Sequence, residues 1–458
     1  MEIVKPRLVI AGTASGTGKT TIVTGLLAAL KEKGKIVQPF KIGPDYIDPG
    51  FHALASGRPS HNLDSWLVPE GKLPCVFQQE VVGADIAIVE GVMGLYDGGR
   101  NGVSSTASIA KRLNCPVILV LNCKSVGESI AATLLGFLKY DEQVDIKGVI
   151  LNNLGSKNHG ELVEEAISKL NIPVIGKILR DEQISLPERH LGLTPVEEQD
   201  LKSILVKIQT TIASYVDLEK VMAIANAAKP LTVIEDTQVE KKYPVSIGVA
   251  YDEAFSFYYQ TSLSVLENFG AKIVKFSPLN DKELPPVDGL LFGGGFPEMF
   301  AQKLTDNQAM RLAIKEAAKK GMPIVAECGG FMYLSEQLED FAGQKYAMVG
   351  LIAGHCAMKS KLQTVGYVRA TAVQDNLLLK RGESIQGHEF HFSTFTPNDE
   401  QKFPWAFDFE KMRTGNKYLG GFVSENILAS YLHMNFLGNM LAAEKFLTCC
   451  CKYKEMDK

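Results

Sequence analysis

The chain has 458 residues, 46% hydrophobic and 22% charged, with 48 Lys and Arg against 52 Asp and Glu for a formal charge of −4. That length exceeds what one hydrophobic core usually needs and predicts two or three domains, while the charge balance offers no basis for nucleic-acid binding. No apolar run reaches the roughly 20 residues of a membrane span and the first glycine turn is reached without a secretion segment, so a soluble cytoplasmic protein is expected.

Residues 7–11 form an apolar run, followed by Gly12-Thr13-Ala14-Ser15-Gly16-Thr17-Gly18-Lys19-Thr20 and a helix-forming stretch to Leu30. This reads as strand, phosphate-binding turn and helix. Gly12, Gly16 and Gly18 permit a tight path whose amides, including those of Thr13 and Thr17, converge on phosphate oxygens. Lys19 offsets phosphate charge and the Thr20 hydroxyl can hold Mg²⁺. Thr13 stands where the usual spacing has its first glycine, so the loop is a variant. A second strand at 36–40 leads into Lys41-Ile42-Gly43-Pro44-Asp45-Tyr46-Ile47-Asp48-Pro49-Gly50-Phe51-His52. Pro44 and Pro49 restrict the backbone around Asp45 and Asp48, carboxylates suited to holding Mg²⁺ or positioning an acid for phosphoryl transfer. The strand at 86–89 ends in Glu90, placed for metal or phosphate chemistry at the carboxyl edge of an open α/β sheet, and a glycine-rich turn with Asp97 follows. Near-continuous apolar runs at 117–121 and 148–152 complete a set of buried parallel strands.

After residue 176 the chain becomes more charged, and the stretch from about 195 to 240 reads as helical material joining two bodies. A second α/β series opens at 245–250. Phe255-Ser256-Phe257-Tyr258-Tyr259 is expected on a helix and mostly in the core. Residues 288–292 form a strand before Gly293-Gly294-Gly295-Phe296-Pro297-Glu298. The apolar run at 323–326 then breaks into Glu327-Cys328-Gly329-Gly330, where an exposed thiol nucleophile would be placed. Amides of Gly294, Gly295 and Gly329 can stabilise the oxyanion formed as a thiolate attacks an amide, and His433 in Ser430-Tyr431-Leu432-His433 is the leading base. In Gly387-His388-Glu389-Phe390-His391, anion contacts, site architecture or interdomain packing are favoured over a metal triad. Cys449-Cys450-Cys451 lacks the separated pairs of a zinc site and reads as packing or surface residues.

Taken together, these motifs, with Asn62-Leu63-Asp64-Ser65 and Glu90-Gly91-Val92-Met93-Gly94-Leu95-Tyr96-Asp97-Gly98, resemble the cobyrinic acid a,c-diamide synthase family over almost the full length. The resemblance implies an α/β protein with a P-loop, dethiobiotin-synthetase-like amino-terminal domain and a class I glutamine-amidotransferase-like carboxyl-terminal domain. It implies boundaries of 1–195, a helical connector at 196–243, 244–448 and a short tail at 449–458. Its substrates would be ATP with Mg²⁺, cobyrinic acid and L-glutamine, and the oligomeric state stays open. Thr20, Asp45 and Glu90 would serve the metal; Asp45 and Asp48 would act in catalysis; Tyr46 and Asp97 would border substrate; Cys328 would carry a glutamyl thioester with His433 as its base. The family lacks the acidic third member of related glutaminase triads. Asn435 stands two residues beyond His433, Met434-Asn435 replaces the Leu-His of close relatives, and no acidic partner for the histidine is assigned. Two alternatives stand beside this reading: the same chemistry on hydrogenobyrinic acid or nickel sirohydrochlorin, and a regulatory P-loop ATPase with a noncatalytic glutaminase-like domain.

Overall fold

A computed structural model describes residues 2–181, 184, 198–233 and 240–456. These divide into two compact units, one holding the residues up to 184 together with 198–233, the other residues 240–456.

The first unit runs β1 (Glu2–Ile3), β2 (Arg7–Gly12), α1 (Lys19–Glu32), β3 (Val37–Ile42), α2 (Ile47–Ser56), β4 (His61–Leu63), α3 (Leu73–Glu80), β5 (Ile86–Glu90), α4 (Thr106–Arg112), β6 (Val117–Asn122), α5 (Ser129–Tyr140), β7 (Ile146–Leu154), α6 (Lys157–Ser168), β8 (Val174–Leu179), α7 (Glu198–Tyr215), α8 (Leu218–Asn226) and β9 (Leu231–Thr232). Seven strands form a wholly parallel sheet in the order β4-β3-β5-β2-β6-β7-β8. Helices cover both faces, so strands such as β2, with Leu8, Val9 and Ile10 fully buried, carry apolar residues on both sides. The order reverses at β2, and its register partners, Ile10 with Glu90 and Gly12 with Val120, bring the carboxyl ends of β5, β2 and β6 together. That edge is where open α/β sheets bind ligands. The segment expected as a connector forms α7 and α8, whose Ile208, Ile212 and Val221 share the core of the first unit with Leu26 and Leu30.

The second unit continues with β10 (Ser246–Ala250), α9 (Gln260–Asn268), β11 (Lys272–Phe276), β12 (Gly289–Phe292), α10 (Ala301–Asp306), α11 (Gln308–Lys319), β13 (Ile324–Glu327), α12 (Gly329–Leu334), β14 (Ser335–Glu339), β15 (Lys345–Ala347), β16 (Ile352–Met358), β17 (Thr364–Ala372), β18 (Ser384–His391), β19 (Ser393–Pro397), β20 (Trp405–Lys411), β21 (Lys417–Val423), β22 (Ile427–Ser430), β23 (His433–Met434) and α13 (Met440–Met456). Its ten-stranded sheet has the order β11-β10-β12-β13-β22-β21-β20-β17-β18-β23. The half from β11 to β22 is parallel and the remainder antiparallel. Apolar clusters cover its two faces, one around Phe292, Phe331 and Tyr333, the other around Phe407, Phe409 and Phe446. Cys450 lies fully buried on α13, its sulfur against Gly289, while Cys449 and Cys451 are half-buried. Residues 255–259 are not helical, contrary to expectation: α9 starts at Gln260, and Phe257 makes an isolated bridge to Gly294. The aromatic run is instead a brace for the glycine loop, with the Tyr258 hydroxyl accepting from the Gly293 amide at 2.7 Å. No described helix is long and apolar enough to cross a membrane.

Candidate active sites

In the first unit the glycine turn wraps the carboxyl end of β2. Gly16 and Gly18 have φ of 73° and 89°, a left-handed backbone that β-carbons disfavour, and Gly18 opens α1. A β-carbon at Gly18 would fall 2.3 Å from Nδ2 of Asn152, which donates to the Thr17 carbonyl at 2.8 Å. A β-carbon at Gly12 would collide with Oγ1 of Thr17. Thr13 donates its amide to the Val120 carbonyl at 3.3 Å, so, contrary to expectation, this amide is engaged by the sheet rather than turned toward a phosphate. Lys19 folds back over the loop, donating to the carbonyls of Ala14 at 3.2 Å and Met93 at 2.6 Å. Burial, and then the nearby Lys41 ammonium, lower its pKa to about 8.

A charged cluster lies beside this turn. Thr20 donates to Glu90 Oε1 at 2.8 Å and to Asp48 Oδ2 at 3.2 Å. Lys41, the register partner of Glu90, reaches Glu90 Oε1 at 2.8 Å, Asp48 Oδ2, and Asp45 Oδ2 at 3.7 Å. His52 Nε2 meets Glu90 Oε2 at 2.6 Å while its Nδ1 meets Ser60 Oγ at 3.1 Å. Burial acts to raise the Glu90 pKa, but Lys41 and His52 outweigh it and hold this carboxylate well below the usual range. Burial and then the charge of Glu90 push Asp48 upward. Burial acts to lower the Lys41 pKa, but Glu90, Asp48 and Asp45 together outweigh it and hold this ammonium above its usual range. Asp48 rather than Asp45 therefore stands with Thr20 and Glu90. Asp45 instead accepts the Ile47 amide at 2.7 Å, shaping the start of α2, with Tyr46 as the flanking residue. Asp97 accepts the Gly94 amide at 3.0 Å, holding a turn whose Leu95 amide bonds Gly12, so it borders the phosphate loop. Sequence reasoning assigned no role to Lys41 or His52. Lys41 follows the end of an apolar run and His52 closes the acidic motif; only the strand register and the fold of α2 reveal that both meet Glu90.

In the second unit Cys328 sits between β13 and α12 at φ 46° and ψ −101°, a strained conformation for a residue with a β-carbon and the backbone of a nucleophile elbow. Its amide bonds Ser430 at 2.7 Å, the Gly330 amide bonds Gly293 at 3.0 Å, and a β-carbon at Gly329 would lie 3.0 Å from the amide nitrogen of Gly295. A β-carbon at Gly294 would lie 2.6 Å from Cε1 of His433. Cys328, His433, Gly294, Gly295 and Gly329 thus gather at the carboxyl ends of β12, β13 and β22. Cys328 is not the exposed thiol expected: it is 7% exposed, because α12 and the glycine loop close over it. Burial, then Glu298, raise its pKa, and burial lowers that of His433 to about 4, so the resting pair is neutral thiol and neutral imidazole. The motif at 387–391 forms strand β18, pairing Gly387 with Met434 and His388 with His433. Glu389 accepts from the Tyr418 hydroxyl, and His391 stacks on Tyr431 with centroids 3.8 Å apart. Among the described residues no group of three His, Cys, Asp or Glu side chains is arranged to hold a metal ion.

Residues 8–193 match the CobQ/CobB/MinD/ParA nucleotide binding domain and residues 246–440 the CobB/CobQ-like glutamine amidotransferase domain. Fold and sites together define a chain that joins a P-loop nucleotide-binding domain to a glutamine amidotransferase domain. Proteins named cobyrinate a,c-diamide synthase are similar to it along its length: one from Caldanaerobacter subterraneus subsp. tengcongensis is 45% identical, covering 97% of this chain and 98% of its own. One from Dehalococcoides mccartyi is 45% identical over 96% and 97% of the two chains, and one from Listeria monocytogenes 42% identical over 95% and 97%. The chain belongs to the cobyrinate a,c-diamide synthase family.

Proposed function

We propose that this protein is a glutamine-hydrolysing carbon–nitrogen ligase that uses ATP to amidate the a and c carboxylates of cobyrinic acid. The observation that carries the reading is full-length similarity to synthases of that name in a chain that keeps both a Lys19–Thr20–Glu90 phosphate site and a Cys328 elbow.

In the first unit the turn amides and Lys19 cradle the triphosphate while the substrate carboxylate attacks the terminal phosphorus. The new O–P bond gives an acyl phosphate and ADP leaves. Thr20, Asp48 and Glu90 converge as hard oxygen donors of the kind Mg²⁺ prefers, and the Lys41 ammonium marks the same spot as favourable to positive charge. Bound there, Mg²⁺ would neutralise phosphate oxygens. Tyr46, Asp45 and Asp97, at the rim of this site, are assigned to orienting the acid or the nucleotide. In the second unit Cys328 attacks the side-chain amide of glutamine with amides of Gly294, Gly295 and Gly329 facing the developing oxyanion. Ammonia from this step displaces phosphate from the activated acid, and a second cycle completes the diamide.

Incubating the purified protein with glutamine, ATP, Mg²⁺ and cobyrinic acid should lower the macrocycle mass by about 2 Da, each OH-to-NH₂ replacement removing about 1 Da. An unchanged cobyrinic acid beside efficient conversion of hydrogenobyrinic acid or nickel sirohydrochlorin would move the assignment to that ring. ATP turnover with every ring unchanged would favour a regulatory ATPase.

A further inference from the structure

We infer that Glu327, the residue immediately before the nucleophile, positions His433 and takes the place of the missing acidic member of the glutaminase triad. This deepens the glutaminase reading of Cys328 and His433 and rests on it.

The usual place for such an acid, two residues after the histidine, is occupied by Asn435, whose side chain is committed elsewhere. Its Nδ2 donates to Thr261 Oγ1 at 2.9 Å and its Oδ1 accepts the Leu437 amide at 2.9 Å. Glu327 comes from the other side. It ends β13 and is the register partner of Ser430, so its side chain projects beside the segment that carries His433. Its Oε2 lies 3.6 Å from His433 Nδ1, and its carboxylate also accepts the backbone amide of Met434. The second contact fixes the carboxylate against the very strand that bears the imidazole. Both side chains are shielded, His433 at 2% and Glu327 at 12% exposure, so once the imidazole gains a proton beside the ionised carboxylate the attraction between them is little screened by solvent. The 3.6 Å separation is longer than a hydrogen bond, and catalytic contacts of this kind tighten when substrate binds.

In its ionised form, Glu327 facing Nδ1 keeps the proton on that nitrogen and leaves Nε2 basic. The thiol proton then passes to Nε2 as sulfur bonds the amide carbon of glutamine. It departs with the amide nitrogen when the C–N bond breaks, giving ammonia and the glutamyl thioester. Glu327 stabilises the imidazolium between those two moments. Water afterwards breaks the C–S bond, releasing glutamate and restoring the thiol. Burial raises the resting Glu327 pKa to about 8, so its ionised form grows as pH rises toward 8, and that form is the one an imidazolium neighbour stabilises.

The test separates positioning from folding and from glutamine binding. Glu327→Gln should lower kcat for glutamine hydrolysis by about 10²-fold, the usual size of a general acid–base contribution, with KM for glutamine essentially unchanged. Glu327→Asp should recover part of that loss. Amidation driven by ammonium chloride, which bypasses the thioester, reports whether the variant is folded. Parental kcat in Glu327→Gln overturns the proposal. So does a fall carried by KM, which would assign Glu327 to glutamine binding, or a matching loss of the ammonia-driven reaction, which would assign it to the fold. Cys328→Ala tests the underlying reading separately: retained glutamine-driven amidation in that variant removes the glutaminase itself rather than the role of Glu327.

Discussion

Glu90 accepts from three side chains at once, the Thr20 hydroxyl, the Lys41 ammonium and the His52 ring, with no exposure to solvent. Such a carboxylate is held at one position and kept ionised, which suits the metal-facing role proposed for it. Lys19 is different: its ammonium is held by the carbonyl of Ala14 in the glycine turn and that of Met93 in the turn after β5, and burial lowers its pKa to about 8, so a bound phosphate would supply counter-charge. Lys19→Ala and Glu90→Ala should each lower ATP consumption with macrocycle and Mg²⁺ by about 10²-fold or more, the scale of losing one preorganised charge partner of the transition state. Glutamine hydrolysis, followed separately, should fall far less. Parental ATP turnover in both variants would remove them from the phosphate site.

At the level of elements, the parallel strands were readable because burial on both faces makes each a short apolar run, and the residues that follow β2, β5, β12 and β13 carry the site motifs for the same topological reason. The aromatic run at 255–259 misled because bulky rings suit both helix and brace, and only the bridge from Phe257 to Gly294 decides. Lys41, His52 and Glu327 escaped assignment since their partners lie across strands or on another element, set by register rather than by spacing. Helix α1 shows a related limit. Gly25 sits in its interior, where glycine costs about 1 kcal/mol relative to alanine. A β-carbon there would lie 2.3 Å from Cγ1 of Ile212 on α7, so the close approach of the helices outweighs propensity. Gly25→Val should therefore destabilise the first unit by about 1–3 kcal/mol through overpacking. Gly136→Ala in α5, where a β-carbon meets nothing within 4 Å, should stabilise by up to about 1 kcal/mol. Urea midpoints for the two variants moving in the same direction would contradict this account of α1.

On the scale of the molecule, stability should depend on pH through the buried carboxyls of the second unit. Burial raises Glu327 to about 8 and Glu389 to about 7, whereas both ionise near 4 to 4.5 when unfolded. The native state thus binds more protons, and stability is lost as pH rises through 7 and 8. His433 and His391, both lowered to about 4 chiefly by burial, act in the opposite sense only on the acid side of about 6.5. The melting temperature of the second unit should accordingly fall between pH 6.5 and 8, and Glu389→Gln should flatten part of that fall; a rise over the interval would refute the linkage. The first unit solves its own charge problem another way. Lys41, lodged among Asp45, Asp48 and Glu90, answers the charge of three carboxylates with one ammonium. A divalent cation proposed for this site would meet Lys41 as a competitor for the Asp48 and Glu90 oxygens. A nucleotide phosphate bound together with that cation would give the Lys41 ammonium another partner, so on the proposed reading the site would favour the two arriving together over the cation alone.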